Sequence, residues 1–211
     1  MIVISMRMTR HVYPGGSEEK RDALAHDWWR FLHTALPGVP VLPMPNIGGR
    51  AVALLHELPI RCLVLSGGDD WGVFPERDAT ERELVLWAER MSIPVLGVCR
   101  GAQVLNRIRG GRIRSGFDES HVGTHHSIRV EACPHGHWPP ELEVNSYHAC
   151  GISAEDLAPG LNAWATAEDG SVEAFSSPDG KQVGIMWHPE RETVAREHDM
   201  HLFQHLNRVA S

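Results

Sequence analysis

No apolar run in the 211 residues approaches the roughly 20 that a membrane-spanning helix requires. The first residues, Met1 to Arg7, lack a basic segment followed by a long apolar stretch, so they read as a first strand rather than a leader. Excess positive charge is missing as well. Twenty Lys and Arg face 27 Asp and Glu, for a net charge of −7, which argues against a nucleic-acid partner. Cysteine is scarce: Cys62, Cys99, Cys133 and Cys150 are too few to staple a chain of this length. There is no internal repeat and no linker long enough to divide the sequence, so residues 1–211 are expected to form a single domain. Hydrophobic residues at 42% and charged residues at 22% are ordinary for a globular protein. Histidine is plentiful, at 14, and protonating these side chains would bring the molecule near neutrality in mild acid.

What is present is organised around Pro94 to Asn106, PVLGVCRGAQVLN. Ile93 to Val98 is a short apolar run suited to a buried parallel strand. Ala102 to Ile108 has helix formers with an apolar face. Between them, Gly97-Val98-Cys99-Arg100-Gly101 sets small residues two before and two after a cysteine. That is the pattern of a nucleophile elbow at a strand-to-helix turn. The helix N-terminus favours thiolate over thiol, and the Arg100 amide can face a developing oxyanion.

Upstream, Ile2–Met6, Val39–Leu42 and Arg61–Ser66 read as strands. Helices are predicted after Ser17, over Arg50–Leu58, and after an Asp78–Glu81 capping pair. The β-α alternation with apolar strands predicts a three-layer, doubly wound, mostly parallel α/β sheet whose sites lie beyond the strand C-termini. After Gly110-Gly111, five short segments between His121 and Trp187 read as antiparallel strands packed on that core. A helix over Glu192–Val209, with Leu202 and Leu206 inward, closes the chain.

A thiol nucleophile needs a base. His188, at the end of the apolar segment Gly184–Trp187, is the best of the 14 histidines. Glu190 can orient its ring. Gly68, ending the strand next to the elbow, can present a second oxyanion donor. Asn145, Ser146, Tyr147 and His148 end another strand and offer groups to a polar ligand. Arg7, Arg10 and His11 lead into Gly15-Gly16 and a predicted helix start, a natural anion site.

SGGDD at 66–70, GVCRGAQVLN at 97–106, VNSYH at 144–148 and MWHPE at 186–190 together resemble the class I glutamine amidotransferase-like superfamily. The chain looks most like its γ-glutamyl-γ-aminobutyrate hydrolase (peptidase C26-like) branch. The resemblance implies a flavodoxin-like fold and a Cys99–His188–Glu190 triad. It also implies an oxyanion hole from Gly68 and Arg100, and glutamyl contacts from Gln103 and residues 146–148. The short length, RDAL at 21–24 near Trp28-Trp29, and EVNSYH at 143–148 are similar to the γ-glutamyl-CDP-amidate hydrolases, which release glutamate and cytidine diphosphoramidate in capsule phosphoramidate synthesis.

The expected activity is therefore cysteine-dependent hydrolysis of a γ-glutamyl amide through a thioester. The rivals are a non-enzymatic binding member of the fold and a glutaminase component of an amidotransferase. The expected partner is a small γ-glutamyl substrate, with no nucleic acid, no membrane and no cofactor; a homodimer is left open. A required thiolate fits a reducing, cytoplasmic setting. His121, His125, His126, Cys133, His135 and His137 cluster in sequence but match no zinc pattern, so no metal is expected.

Overall fold

The computed structural model describes residues 1–116 and 121–209. The chain opens with β1 (Ile2–Ser5), β2 (Arg7–Val12), β3 (Glu18–Ala23) and α1 (His26–Ala35). β4 (Val41–Met44), α2 (Arg50–Ala53), β5 (Cys62–Leu65), α3 (Pro75–Arg90), β6 (Val95–Val98) and α4 (Arg100–Ile108) follow. The second half holds β7 (Arg114–Ser115), β8 (Val122–Val130), β9 (Glu141–Tyr147), β10 (Cys150–Gly151), β11 (Asn162–Ala167), β12 (Val172–Ser176), β13 (Gln182–Ile185) and α5 (Glu197–Val209).

Nine strands form one sheet in the order β4-β1-β5-β6-β13-β12-β11-β8-β9. The first five run parallel and the other four continue the sheet antiparallel. β1, β5, β6 and β13 are buried at every position, as continuous apolar runs require when helices cover both faces. On one face α1 packs Trp28, Phe31 and Leu32, and α5 packs Leu202, Phe203 and Leu206, against Val64, Leu96 and Ile185. On the other, Leu84, Val85 and Ala88 of α3 and Val104 and Leu105 of α4 cover Val3, Leu63 and Val95. Each such side chain contributes roughly 1.5–3 kcal/mol by leaving water. The result is the three-layer α/β fold expected from the sequence.

Three expectations need correction. The segment after Ser17 is not a helix: β3 pairs with β2 in a separate hairpin, Arg7 against Ala23 through Val12 against Glu18. Gly15 and Gly16, at φ +104° and +86°, turn the chain back. Cross-strand polar contacts, including Arg21 to Tyr13 at 2.9 Å, then hold the hairpin, and helix begins only at His26. The later strands do not pack on the parallel core. They extend its edge, and β13 inserts parallel beside β6, because Val183 and Ile185 are apolar enough to be buried on both sides.

Asp78 and Glu81, finally, do not cap α3, whose first turn begins at Pro75 after Phe74. They lie inside the helix on its buried side. Glu81 pairs with Arg77 at 3.0 Å and with Arg100, and accepts a 2.8 Å hydrogen bond from Ser5. Asp78 binds Arg100 at 2.6 Å. Smaller differences are boundary shifts: β4 starts two residues later than expected, α2 ends at Ala53, and α5 begins at Glu197.

Candidate active site

β5, β6 and β13 end side by side, and each delivers one piece of the site. At the end of β6 the chain turns so sharply that Cys99 takes φ +53° and ψ −109°, a conformation rarely held by a residue with a side chain. The turn is possible because α4 starts against β5: a Cβ on Gly101 would fall 2.1 Å from the Leu65 carbonyl oxygen. Cys99 thus stands at the N-cap of α4, and the Arg100 amide donates a hydrogen bond to its sulfur.

His188 follows β13 and shares a side-chain hydrogen bond with Cys99. Its Nδ1 lies 2.7 Å from Glu190 Oε1, which leaves Nε2 for the sulfur. The ring fits only because residue 67 is glycine; a Cβ there would meet His188 Cε1 at 2.6 Å. Asn145, at the end of β9, grips the His188 main chain at both ends. Its Nδ2 donates to the His188 carbonyl at 2.9 Å and its Oδ1 accepts from the His188 amide at 2.8 Å.

The electrostatics follow from this geometry. Burial pushes the Cys99 thiol up, but the His188 imidazole, reinforced by His148 and the Arg100 amide, brings it below its ordinary value. Burial lowers His188, yet Cys99 and Glu190 more than reverse this and raise it to about 9. The pair is therefore poised as thiolate and imidazolium at neutral pH, the state in which sulfur is a nucleophile and the ring an acid. Cys99 is 6% exposed, and a cleft of about 30 Å³ lies beside the ring, lined by Arg7, Trp28, Gly67, His188, Glu190 and Arg191. A larger cavity of about 710 Å³, bordered by Ser127, Arg129 and Glu141, lies far along the sheet and has none of these groups.

The remaining residues expected at the site are placed unevenly. Gly68 follows β5 at φ +146°, and a Cβ on it would fall 2.3 Å from Arg77 Nη1. The Arg100 side chain turns into the core toward Asp78 and Glu81, so only its amide faces the thiol. Gln103 donates to the Cys150 carbonyl at 2.7 Å, and Ser146 to the His121 carbonyl at 2.7 Å. His148 is buried beside Glu173. Tyr147 is 44% exposed, edge-on to His188 at 5.6 Å, with the Arg191 guanidinium 4.2 Å over its ring. Arg7 borders the cleft, whereas Arg10 lies over Phe74 at 5.4 Å. Neither Arg sits at a helix start, so the anion site predicted from Gly15-Gly16 and a following helix does not form. Sequence reasoning missed Arg191, which carries no motif beyond adjoining Glu190. It also missed Asn145's grip on the His188 main chain.

The sequence model of the peptidase C26 family matches residues 67–190. Over 180 residues, the chain is 30% identical to gamma-glutamyl-CDP-amidate hydrolase of Campylobacter jejuni, a match covering 82% of this chain and 83% of that protein. It is 36% identical over 136 residues to the glutamine-hydrolysing chain of GMP synthase from Natronomonas pharaonis, covering 64% and 68%. Two further relatives, from Schizosaccharomyces pombe and Lactococcus lactis, are matched over only 55% and 60% of their own length. Among solved structures, a GMP synthase-type protein of Thermoplasma acidophilum superposes with a TM-score of 0.71 at 21% identity, covering 100% of this chain and 94% of that one.

Proposed function

The chain belongs to the peptidase C26 family of glutamine amidotransferase-like hydrolases, and from that membership we propose that it hydrolyses a γ-glutamyl amide with Cys99 as nucleophile, His188 as acid and base, and Glu190 as the group that orients the ring. The observation that carries this reading is the unbroken line of contacts from the Cys99 sulfur through His188 to Glu190. The Cys99 thiolate attacks the γ-carbonyl carbon and the carbonyl electrons move onto oxygen. The Arg100 and Gly68 amides stabilise that oxyanion. As the tetrahedral intermediate collapses the C–N bond breaks, and His188 gives its proton to the departing nitrogen. Neutral His188 then takes a proton from water, the hydroxide attacks the thioester, and glutamate leaves as the thiolate re-forms. Residues 1–211 act as one domain in this scheme, and Gln103, Ser146, Tyr147 and His148 border the glutamyl arm.

For the leaving group we favour the anionic nucleotide of a γ-glutamyl-CDP-amidate, giving cytidine diphosphoramidate. The 30% identity to the Campylobacter jejuni enzyme supports this, as does Arg7 bordering the cleft beside His188 and Glu190. Arg7→Ala is expected to raise KM for γ-glutamyl-CDP-amidate about tenfold, the loss of one charge-assisted phosphate contact. It should hardly change kcat/KM for γ-glutamyl-aminobutyrate. Equal effects on both substrates would remove Arg7 from the leaving-group site. A panel of γ-glutamyl-CDP-amidate, γ-glutamyl-aminobutyrate, a γ-glutamyl dipeptide and glutamine, at equal concentration, ranks the substrates. Preference for glutamine would favour the second reading, a glutaminase that feeds a synthetase, for which the likeness to the GMP synthase chain speaks.

A further inference from the structure

Behind the thiol lies a group of side chains that the hydrolytic scheme does not use. Glu173, on β12, is fully buried. Among the described residues no Lys or Arg pairs with it; its ionic neighbours are imidazoles. His121 Nδ1 is 3.7 Å from its Oε1, His126 Nε2 is 3.6 Å from its Oε2, and His148 Nε2 is 3.6 Å from its Oε1. The ligand atoms of His121, His126 and Glu173 all lie within 4.8 Å of one another. β11 separates the strand of Glu173 from that of His126, so the chain brings these groups together across three strands.

The spacing is informative. A protonated imidazole beside a buried carboxylate closes to about 2.7–2.9 Å. These contacts stand 3.6–3.7 Å apart instead. Tetrahedral zinc, with bonds of about 2.0–2.2 Å, separates neighbouring ligand atoms by about 3.3–3.5 Å, so a small contraction on binding suffices. The far nitrogen of His121 supports the same conclusion. Its Nε2 is 3.0 Å from Asp169 Oδ2, and Asp169 is itself held by the Ser171 amide at 2.9 Å. A carboxylate on the outer nitrogen fixes ring and tautomer so that the inner nitrogen presents its lone pair, the usual support of a metal-binding histidine.

We propose that His121, His126 and Glu173 bind one divalent transition-metal ion of the zinc type, with His148 as a further donor on the same carboxylate. Two imidazoles and a carboxylate suit such an ion better than magnesium or calcium, which prefer all-oxygen sites. The ion clips β12 to β8 and to the turn before it. That turn carries the His121 carbonyl, which holds both Ser146 and the His148 amide, so the ion also steadies the residues bordering Cys99.

The test uses the full chain with Cys99→Ala, which removes the thiol as a competing metal ligand. Chelator-stripped protein is titrated with cobalt(II), and with zinc while thermal unfolding is followed. The expected result is one equivalent bound, the visible spectrum of four-coordinate cobalt without a sulfur-to-cobalt band, and a higher Tm with zinc. Uptake should be lost on adding Glu173→Gln or His126→Ala and retained with His125→Ala, an exposed neighbour. Absence of stoichiometric uptake, a sulfur-to-cobalt band, or unchanged uptake in the Glu173 and His126 variants would each overturn the site. If those variants fail to fold, X-ray absorption of the zinc-loaded Cys99→Ala protein decides: a nitrogen and oxygen shell with imidazole scattering supports the site, and a sulfur ligand refutes it. Because the readout is binding, its failure leaves the hydrolase reading untouched.

Discussion

Cys99→Ser is expected to lower kcat for a γ-glutamyl amide by on the order of 1,000-fold or more, with little change in KM. The reason lies in what the site does to sulfur. Burial, which pushes the thiol up, is outweighed by His188, His148 and the Arg100 amide, which hold it below its ordinary value. The ground state therefore already carries an anionic nucleophile. A serine hydroxyl titrates far outside this range and cannot ionise against the same partners. The charge that raises His188 to about 9 is lost with the sulfur, so the ring loses much of its hold on the proton it must deliver to the leaving nitrogen. In the wild type, His188 is protonated below about 9 and neutral above it, so kcat/KM should fall on the alkaline side as pH passes that value. Steady-state kinetics at matched folding, checked by circular dichroism, measure both effects. A serine variant working at wild-type rates would remove the thioester from the mechanism.

Glu81→Gln is expected to destabilise the fold by about 3–5 kcal/mol, the usual cost of leaving buried charges without their partner. Glu81 has no exposure and stands between two buried arginines. Removing its charge leaves Arg77 without its carboxylate and leaves Arg100 with Asp78 alone. The loss reaches the site, since Arg77 donates to the carbonyls of Ser66 and Gly67 at 2.7 and 3.1 Å and so shapes the turn against His188. Urea denaturation at neutral pH measures the difference. A loss under about 1 kcal/mol would mean that the ion group is dispensable.

The sequence announced the elbow because its chemistry is local: the two glycines, the cysteine and the helix start occupy five consecutive positions. His188 was legible for a similar reason, since an apolar strand ending in His-Pro-Glu leaves few other geometries. The hairpin of β2 and β3 was not legible. Glu18 and Glu19 after Ser17 satisfy the rules for a helix start, and only pairing with Arg7–Val12 turns that segment into a strand. Asp78 and Glu81 misled in the same way, because their spacing fits a cap while their burial depends on Arg100, about 20 positions on. His121 was grouped with Cys133, His135 and His137 by proximity in sequence. The fold instead sets it beside Glu173, more than 50 residues away, which spacing cannot reveal.

The whole account depends on sulfur held as an anion by an imidazole from a separate strand. The most direct measurement is the rate of Cys99 alkylation by iodoacetamide as a function of pH, followed by peptide mass mapping in the wild type and in His188→Ala. In the wild type, Cys99 should react at a plateau through neutral pH, with its inflection well below that of an ordinary thiol, and His188→Ala should move the inflection upward. A wild-type inflection at or above the ordinary thiol value, unmoved by His188→Ala, would contradict the thiolate–imidazolium pair.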